Sequence, residues 1–222
     1  MRVEWFGQSA FHLSAGETSV AIDPFGDMSA LAGRGMQFDY PPIAGVQADL
    51  LLVTHEHLDH NGVEAIGGEP AILRSTAGQL DSPIGTVTAV ASEHDENAGT
   101  QRGPNTIFRF ELDGLRVCHF GDFGQRGLRE EQAAAIGQVD LLFVPVGAGP
   151  TIGPEQAELI ARRLSARWIV PMHYRTPKIG FLDTADAFLE RYEHVHRAAQ
   201  PSFQTEELPS VDGPLVVVPE VP

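Results

Sequence analysis

A buried strand that runs into a cluster of metal-binding side chains is the feature that most constrains this chain. Residues 50–53 are unbroken apolar sequence, Leu-Leu-Leu-Val, and residues 54–60 read Thr-His-Glu-His-Leu-Asp-His. Neutral imidazole is the commonest protein ligand for zinc, and carboxylate oxygen suits zinc, iron and manganese. A rigid sheet would hold such ligands in place before a metal arrives. The run therefore predicts a metal site whose ligands are His55, His57, Asp59 and His60.

A surface loop that happens to be rich in histidine is the alternative explanation. The pattern His-x-His-x-Asp-His should arise by chance in on the order of one in a thousand sequences of this composition. Three further candidates strengthen the metal interpretation, because each follows a predicted strand: His94, Asp122 and His173. Taken alone, His94 would be a solvated loop histidine and Asp122 a turn residue.

The composition favours a globular chain that forms a single domain over residues 1–222. The net charge of −15 argues against binding to nucleic acid, because a surface that follows phosphates needs clustered Lys and Arg. No apolar run approaches the roughly 18–20 residues that cross a bilayer, and the start has no signal-peptide core. The single Cys118 excludes an internal disulfide. A cytoplasmic location is the simplest prediction, and the oligomeric state stays open.

Hydrophobic periodicity predicts an α/β chain in which strands outnumber helices. Short strands are predicted near the start, and Asp113-Gly114 predicts a tight hairpin. The other predicted strands cover residues 18–22, 49–53, 85–91, 105–112, 115–120, 139–146, 167–170 and 214–218. Helices are predicted over residues 61–66, 128–136, 154–164 and 183–192. The long stretch from Pro24 to Gln47 has no period, and its length predicts a functional loop beside the metal cleft.

The order of these motifs resembles the metallo-β-lactamase superfamily over residues 2–218. Members have a His-x-His-x-Asp-His run, a later histidine, a bridging aspartate and a last histidine, and this chain has a residue at each place. The resemblance implies a four-layer αββα sandwich with two metal ions. It implies that one ion is held by His55, His57 and His94, and the other by Asp59, His60 and His173. Asp122 would bridge the two ions.

A closer resemblance is to the branch that contains ascorbate-6-phosphate lactonase-like and phospholipase D-like hydrolases. The marks of that branch are Trp-Phe-Gly-Gln-Ser at residues 5–9, Asp-Pro-Phe at 23–25, Arg-Gly-Pro-Asn-Thr at 102–106 and Pro-Met-His-Tyr at 171–174. The chain departs from the branch at Gln8, where histidine is usual. Any role of that histidine is therefore altered or lost here.

The implied chemistry is hydrolysis by a hydroxide that two divalent metal ions share, with Asp59 aiming the attacking water. Zinc is favoured, and manganese or iron are alternatives. No serine stands in a nucleophile elbow, and Cys118 lies in a predicted strand where a thiol is inert. His119 is either a partner that orients a ligand or an ordinary strand histidine, and the second interpretation is slightly favoured.

The predicted function is therefore a metal-dependent hydrolase of a small, anionic substrate such as a phosphodiester, lactone or ester. Cationic and polar side chains close to the motifs fit such a substrate, although surface ion pairs explain them equally well. These residues are Arg102, Asn105, Tyr174, Arg175 and Lys178. A di-iron oxidoreductase of the same fold and a non-catalytic metal or ligand sensor are the alternatives.

Overall fold

Two mixed β-sheets face each other in the computed structural model, which describes residues 1–29 and 36–222. The six-stranded sheet has the order β13-β1-β2-β3-β4-β5. Its strands are β1 (Arg2–Gly7), β2 (Ala10–Ala15), β3 (Thr18–Ile22), β4 (Leu50–Val53), β5 (Ala71–Arg74) and β13 (Ser202–Gln204). Strands β3, β4 and β5 are parallel, and the other pairs are antiparallel.

The eight-stranded sheet has the order β12-β14-β11-β10-β9-β8-β7-β6. Its strands are β6 (Gly78–Ser82), β7 (Gly85–Glu93), β8 (Pro104–Leu112), β9 (Leu115–His119), β10 (Leu141–Pro145), β11 (Trp168–Met172), β12 (His194–Arg197) and β14 (Leu215–Val218). The half from β9 to β12 is parallel and the half from β6 to β9 is antiparallel. The predicted hairpin at Asp113-Gly114 joins β8 to β9, and both turn residues have the positive φ that such a tight turn requires.

The core lies between the two sheets and is built largely from aromatic side chains. Phe11 of β2 contacts Phe143 of β10 with ring centroids 4.5 Å apart, so the two strands face each other across the sandwich. Strand β4 is buried on both faces. Leu50 and Leu52 belong to the main core, whereas Leu51 and Val53 pack on the opposite side. This double burial explains why the sequence of β4 is apolar throughout rather than alternating.

The outer layers differ between the two sheets. Helices α1 (Glu130–Ile136) and α2 (Pro154–Arg163) pack against β7 and β10 of the eight-stranded sheet. On the six-stranded sheet, a second apolar cluster contains side chains from the described parts of the 24–47 loop, including Phe25 and Tyr40. The described residues contain no helix long and apolar enough to cross a membrane.

Two of the predicted helices are wrong in extent. The predicted helix over residues 183–192 is only a short turn, α3 (Asp186–Leu189). Turns with i to i−3 hydrogen bonds enclose it, since Phe188 bonds to Ala185 and Tyr192 to Leu189, and such tight turns do not propagate an α-helix. The predicted helix over residues 61–66 is a 3₁₀ turn (Val63–Ala65) without a side-chain cap, because Asn61 donates to Glu56 instead.

Candidate metal centre

The candidate site lies where the carboxyl ends of strands from both sheets meet. In the six-stranded sheet, Asp23 follows β3 and the His-rich run follows β4. In the eight-stranded sheet, His94 follows β7, Asp122 comes shortly after β9, and His173 follows β11. The strand ends bring together predicted ligands that are up to 118 positions apart in sequence, from 55 to 173. All seven predicted ligands converge at this edge.

Asp122 lies at the centre of the cluster. Its Oδ2 is 3.0 Å from Nε2 of His94, 3.2 Å from Nε2 of His173 and 3.9 Å from Nε2 of His55. Its Oδ1 is 3.3 Å from Nε2 of His60. One buried carboxylate therefore contacts imidazoles from both sheets, and each of its oxygens faces a different set of histidines.

Two groups of three ligands flank Asp122. The candidate ligand atoms of His55, His57 and His94 lie within 4.8 Å of one another, and the same holds for Asp59, His60 and His173. Nε2 of His55 and Nδ1 of His57 are 3.0 Å apart. The side chain of His57 is exposed and that of Asp59 is partly exposed, whereas the other ligands are buried. Solvent and substrate therefore reach the cluster from the side of His57 and Asp59.

Asp23 orients the buried end of the His-rich run, and the sequence motifs did not assign it this role. Its Oδ2 is 2.9 Å from Nδ1 of His60 and accepts a hydrogen bond from Oγ1 of Thr54 at 2.7 Å. Its Oδ1 accepts from the backbone N–H of Thr54 at 2.8 Å. A carboxylate accepts only, so Nδ1 of His60 carries a proton and Nε2 is the nitrogen that faces the cluster.

The same logic fixes two more imidazoles. The Thr54 hydroxyl donates to Asp23, so it accepts from Nδ1 of His55, 3.0 Å away, and the lone pair of His55 lies on Nε2. Nδ1 of His94 is 3.1 Å from the carbonyl oxygen of Pro150, so Nε2 of His94 is again the free nitrogen. Each of these three histidines thus turns Nε2, the nitrogen that would bind a metal, towards Asp122, which is how metal-binding histidines are held in proteins.

Asn105 holds the backbone of Asp122 rather than a substrate. Its Oδ1 accepts from the N–H of Asp122 at 3.0 Å, and its Nδ2 donates to the carbonyl of Phe120 at 2.9 Å. Gly121, at φ +55°, lies between them, and a Cβ built there would be 2.4 Å from Oδ1 of Asn105. The turn after β9 therefore requires glycine, and its shape sets the position of Asp122.

His119 is a strand histidine with both ring nitrogens satisfied. Its Nε2 donates to the carbonyl of Ser9 at 3.0 Å, and its Nδ1 accepts from the N–H of Gly121 at 3.1 Å. Burial lowers the pKa of the ring, so it is neutral. The favoured prediction for His119 is therefore confirmed, although its bonds also tie β9 to the loop after β1.

The charges of the metal-free cluster are set by burial and by its carboxylates. Burial lowers the pKa of His55 and His57. Burial also disfavours a charged His60, but the carboxylates of Asp122, Asp59 and Asp23 outweigh it and raise the pKa well above its ordinary value. Burial would raise the pKa of Asp122, yet the neighbouring histidines lower it well below the usual range. The cluster therefore keeps an ionised carboxylate at its centre.

The backbone is strained at three points around the site. Gln8, Asp23 and His173 have φ values of +49°, +47° and +51°, in the left-handed region that non-glycine residues rarely adopt. Such conformations persist only where the surrounding structure imposes them, and they concentrate at functional sites. Here they aim the side chains that follow β1, β3 and β11 towards the cluster.

The donor set fits a divalent metal. Five imidazoles and two carboxylates are the nitrogen and oxygen ligands that zinc, iron and manganese take in proteins. Nε2 of His60 is fully buried, and although Oδ1 of Asp122 lies 3.3 Å away, it makes no hydrogen bond of acceptable geometry among the described residues. A buried nitrogen without a partner is costly unless something binds to it, and a metal ion would satisfy it.

The residues predicted to contact an anionic substrate have different surroundings. Tyr174 is buried and stacks on Trp5, with centroids 5.7 Å apart, so it belongs to the core. Arg175 is exposed and Lys178 partly so. Exposed Arg102 lines a depression of about 320 Å³ whose wall includes Pro150, the residue that bonds to His94.

The 24–47 loop contacts the segments that carry the ligands. The carbonyl of Pro24 accepts a hydrogen bond from the N–H of Gly62 at 2.8 Å, and the N–H of Asp39 donates to the backbone carbonyl of Lys178 at 2.8 Å. Residues 30–35 of the predicted loop lie outside the described part of the chain. The described parts of the loop therefore lie against the segments that follow His60 and His173, as the prediction of a loop beside the metal cleft requires.

The amino-acid sequence is similar to that of known proteins. The profile of the beta-lactamase superfamily domain matches residues 2–173. A UPF0173 metal-dependent hydrolase of Thermus thermophilus is 31% identical over 217 residues, which cover 86% of this chain and 91% of the relative. A UPF0173 metal-dependent hydrolase of Methanoculleus marisnigri is 31% identical over 201 residues, with 79% and 82% covered.

Solved structures show the same fold. A proposed Zn-dependent hydrolase of the metallo-β-lactamase superfamily from Thermotoga maritima superposes with a TM-score of 0.80 at 31% identity, covering 100% of this chain and 99% of that one. An isothiocyanate hydrolase from Delia radicum gut bacteria superposes with a TM-score of 0.65 at 15% identity, covering 86% and 91%. The second likeness shows the fold alone. The predicted sandwich class is confirmed.

Proposed function

The chain belongs to the metallo-β-lactamase superfamily and is a metal-dependent hydrolase, and we propose that it works with two divalent metal ions that share a hydroxide. The observation that carries this proposal is the position of Asp122, whose two oxygens face histidines of both ligand groups within 3.9 Å. A carboxylate in that position suits a bridge between two ions.

The ligand assignment follows from the two groups. His55, His57 and His94 would hold one ion, Asp59, His60 and His173 the other, and Asp122 both. When bound, the ions supply a hydroxide near neutral pH, because a metal lowers the pKa of its water to about 7. Zinc is the favoured ion, with manganese and iron as alternatives.

Asp59 is the proposed catalytic residue of the protein itself. It is the only carboxylate of the seven ligands that is partly exposed, and Asp122 is buried. Asp59 can therefore reach the incoming water and substrate, whereas Asp122 cannot. The free oxygen of Asp59 would orient the water molecule and accept a proton from it, a task that carboxylates perform in hydrolases.

The substrate proposed is a small anionic ester, phosphodiester or lactone. Support comes from Arg102, an exposed guanidinium on the depression that includes Pro150, next to His94. A guanidinium there can pair with a carboxylate or phosphate while the scissile group lies at the metals. A single domain over residues 1–222 and a cytoplasmic location complete the proposal. Strands β12 and β14, which follow the last ligand, pair within the same sheet as β11.

Chelation tests the proposal. Protein purified without chelator should contain close to two metal ions per chain by elemental analysis. It should hydrolyse at least one member of a panel of phosphodiesters, lactones, esters and thioesters. Removal of the metals should abolish turnover, and Zn²⁺, Mn²⁺ or Fe²⁺ should restore it. Turnover that survives complete metal removal would overturn the proposal, and one tightly bound ion per chain in a fully active enzyme would refute its dinuclear part.

A further inference from the structure

Gln8 is a buried polar residue beside the proposed catalytic carboxylate. Its side chain is fully buried, and its Nε2 lies 3.5 Å from Oδ2 of Asp59, at the outer limit of a hydrogen bond. Its backbone carbonyl accepts hydrogen bonds from Nε1 of Trp5 at 3.0 Å and from the N–H of His173 at 3.4 Å. The residue is therefore fixed from both sides, with its amide turned towards one ligand.

Packing alone does not explain an amide in this place. Oε1 of Gln8 is buried without a hydrogen-bond partner among the described residues, and an acceptor left in that state destabilises the fold. The backbone at φ +49° adds strain. An apolar side chain of equal length would avoid the first cost and fill the same space. The presence of an amide at this position must therefore be explained by the group that its N–H contacts.

The orientation of the amide identifies that contact. Turned the other way, Oε1 would face the carboxylate of Asp59, and two acceptors would repel each other. The observed orientation directs the amide N–H of Gln8 at the carboxylate of Asp59 and leaves Oε1 of Gln8 without a partner among the described residues. Asp59 itself is the least buried of the carboxylates in the cluster, so it is the ligand that most needs to be held.

We propose that Gln8 is a positioning residue that acts through Asp59: its amide N–H holds the carboxylate in the orientation that binds the second metal ion. The inference rests on the proposed metal site. Partners of this kind typically change metal affinity by about 10–100-fold when they are removed.

Zinc titration against a chromophoric chelator tests the proposal without a substrate. Gln8→Met keeps the length of the side chain and removes the amide. It should weaken the binding of the second Zn²⁺ by about ten-fold or more. Gln8→Asn keeps an amide that is too short to reach Asp59, and asparagine tolerates a positive φ, so this variant should fold and show the same loss. Gln8→His, which restores a donor, should recover most of the affinity.

Two controls separate positioning from a general structural effect. Thr205 is a buried polar residue whose hydroxyl bonds to Met1, at the end of β1 opposite Gln8, so Thr205→Val should lower thermal stability and leave zinc affinity unchanged. In an Asp59→Ala background, Gln8→Met should cause no further loss of affinity.

The outcomes distinguish this inference from the proposed function. If Gln8→Met and Gln8→Asn both bind two Zn²⁺ as tightly as the unaltered protein, or if the loss persists in the Asp59→Ala background, the inference is overturned while the metal site stands. If the unaltered protein binds none of Zn²⁺, Mn²⁺ and Fe²⁺, the proposed function fails and the inference fails with it.

Discussion

At the scale of single residues, the candidate metal ligands differ from the side chains that only pack. Cys118 is the one cysteine of the chain, and it is fully buried in β9, where burial raises the pKa of its thiol. A protonated, inaccessible thiol cannot attack a substrate. In the proposed function the nucleophile comes instead from the cluster around Asp122, where the candidate ligand His57 is exposed and Asp59 is partly exposed.

Asp59→Ala should cost far more in turnover than Cys118→Ala. The first change removes a metal ligand together with the group that aims the water, and we expect a loss of about 10²–10⁴-fold in kcat, the usual range for a positioned acid or base. The second should cost about 1 kcal/mol of stability and leave kcat unchanged. Steady-state kinetics after metal loading measure both. An enzyme that thiol alkylation inactivates but that is indifferent to Asp59→Ala would contradict this mechanism.

Metal binding should release a proton from His60. In the metal-free protein the raised pKa of His60 keeps its ring protonated at neutral pH, so an incoming ion must displace that proton. Zinc affinity should therefore rise with pH up to the raised pKa. The ion pairs of His60 stabilise the metal-free fold below the ordinary histidine pKa, and this contribution is lost as pH rises through the raised value.

Calorimetry in two buffers with different ionisation enthalpies measures the released proton. The observed enthalpy of zinc binding should differ between the two buffers by about the difference in their ionisation enthalpies, because about one proton is released for each bound ion. His60→Gln should remove that difference. His55 should not contribute to it, because burial lowers the pKa of His55 and its ring is already neutral before metal binds. An enthalpy that is the same in both buffers would refute the prediction.

The sequence predicted the seven candidate ligands because each follows an apolar strand in an order that resembles a known family. It did not predict Asp23 and Asn105 as orienting residues. Asp23 bonds to His60, which is 37 positions away, and Asn105 bonds to Asp122, which is 17 positions away. Hydrogen bonds between distant residues leave no local pattern, so only the folded chain reveals them.

At the scale of elements, the turns that follow the strands decide the geometry. Gly121→Ala should displace Asp122, because its Cβ would lie 2.4 Å from Oδ1 of Asn105 and 2.6 Å from Oγ1 of Thr54. We expect zinc affinity to fall by at least about ten-fold, as when a partner of a ligand is lost. Chelator competition measures the change.

Gly114→Ala is the matched control for that turn. Gly114 also has a positive φ, +72°, but no atom lies within 4 Å of the position that a Cβ would take there. The substitution should therefore cost about 1 kcal/mol from backbone strain and leave zinc binding intact. Equal zinc affinities in the two alanine variants would show that the crowded turn after β9 does not set the position of Asp122.

The elements that the sequence predicted well are those with strong local signals, such as β4, the Asp113-Gly114 hairpin and α2. Strands β5 and β6 carry mostly exposed side chains at the edges of their sheets, so no apolar alternation marks them. The prediction of a helix at 183–192 was wrong although an apolar signal is present there. Its apolar spacing is real, since Phe188 and Leu189 are buried, but a short turn satisfies the same spacing.

At the scale of the whole molecule, the metal site joins the two sheets. His55 and His60 belong to the run after β4 of one sheet, whereas His94, Asp122 and His173 follow strands of the other. Metal ions bound between them would act as cross-links in the folded state only. Binding to the folded state alone stabilises a protein in proportion to the logarithm of free ligand concentration.

Zinc should therefore raise the melting temperature of the whole chain in one transition. At a free concentration of 100 times the dissociation constant, the gain in free energy of unfolding should be about 2.7 kcal/mol for each site. His55→Ala and His173→Ala, which remove ligands from opposite sheets, should each reduce the gain. Differential scanning fluorimetry with and without chelator measures it. A melting temperature unaffected by zinc would contradict the idea of a site that joins the sheets.

The three strained residues have a consequence for the engineering of this protein. A screen that rewards thermal stability alone will favour glycine or asparagine at positions 8, 23 and 173, because each relaxes a backbone that costs of order 1–3 kcal/mol. Each such gain removes a side chain directed at the metal cluster, shortens it or, in Asp23→Asn, removes its charge. Selection for heat resistance and selection for turnover should thus pull these positions in opposite directions, and libraries meant to preserve activity should leave them fixed.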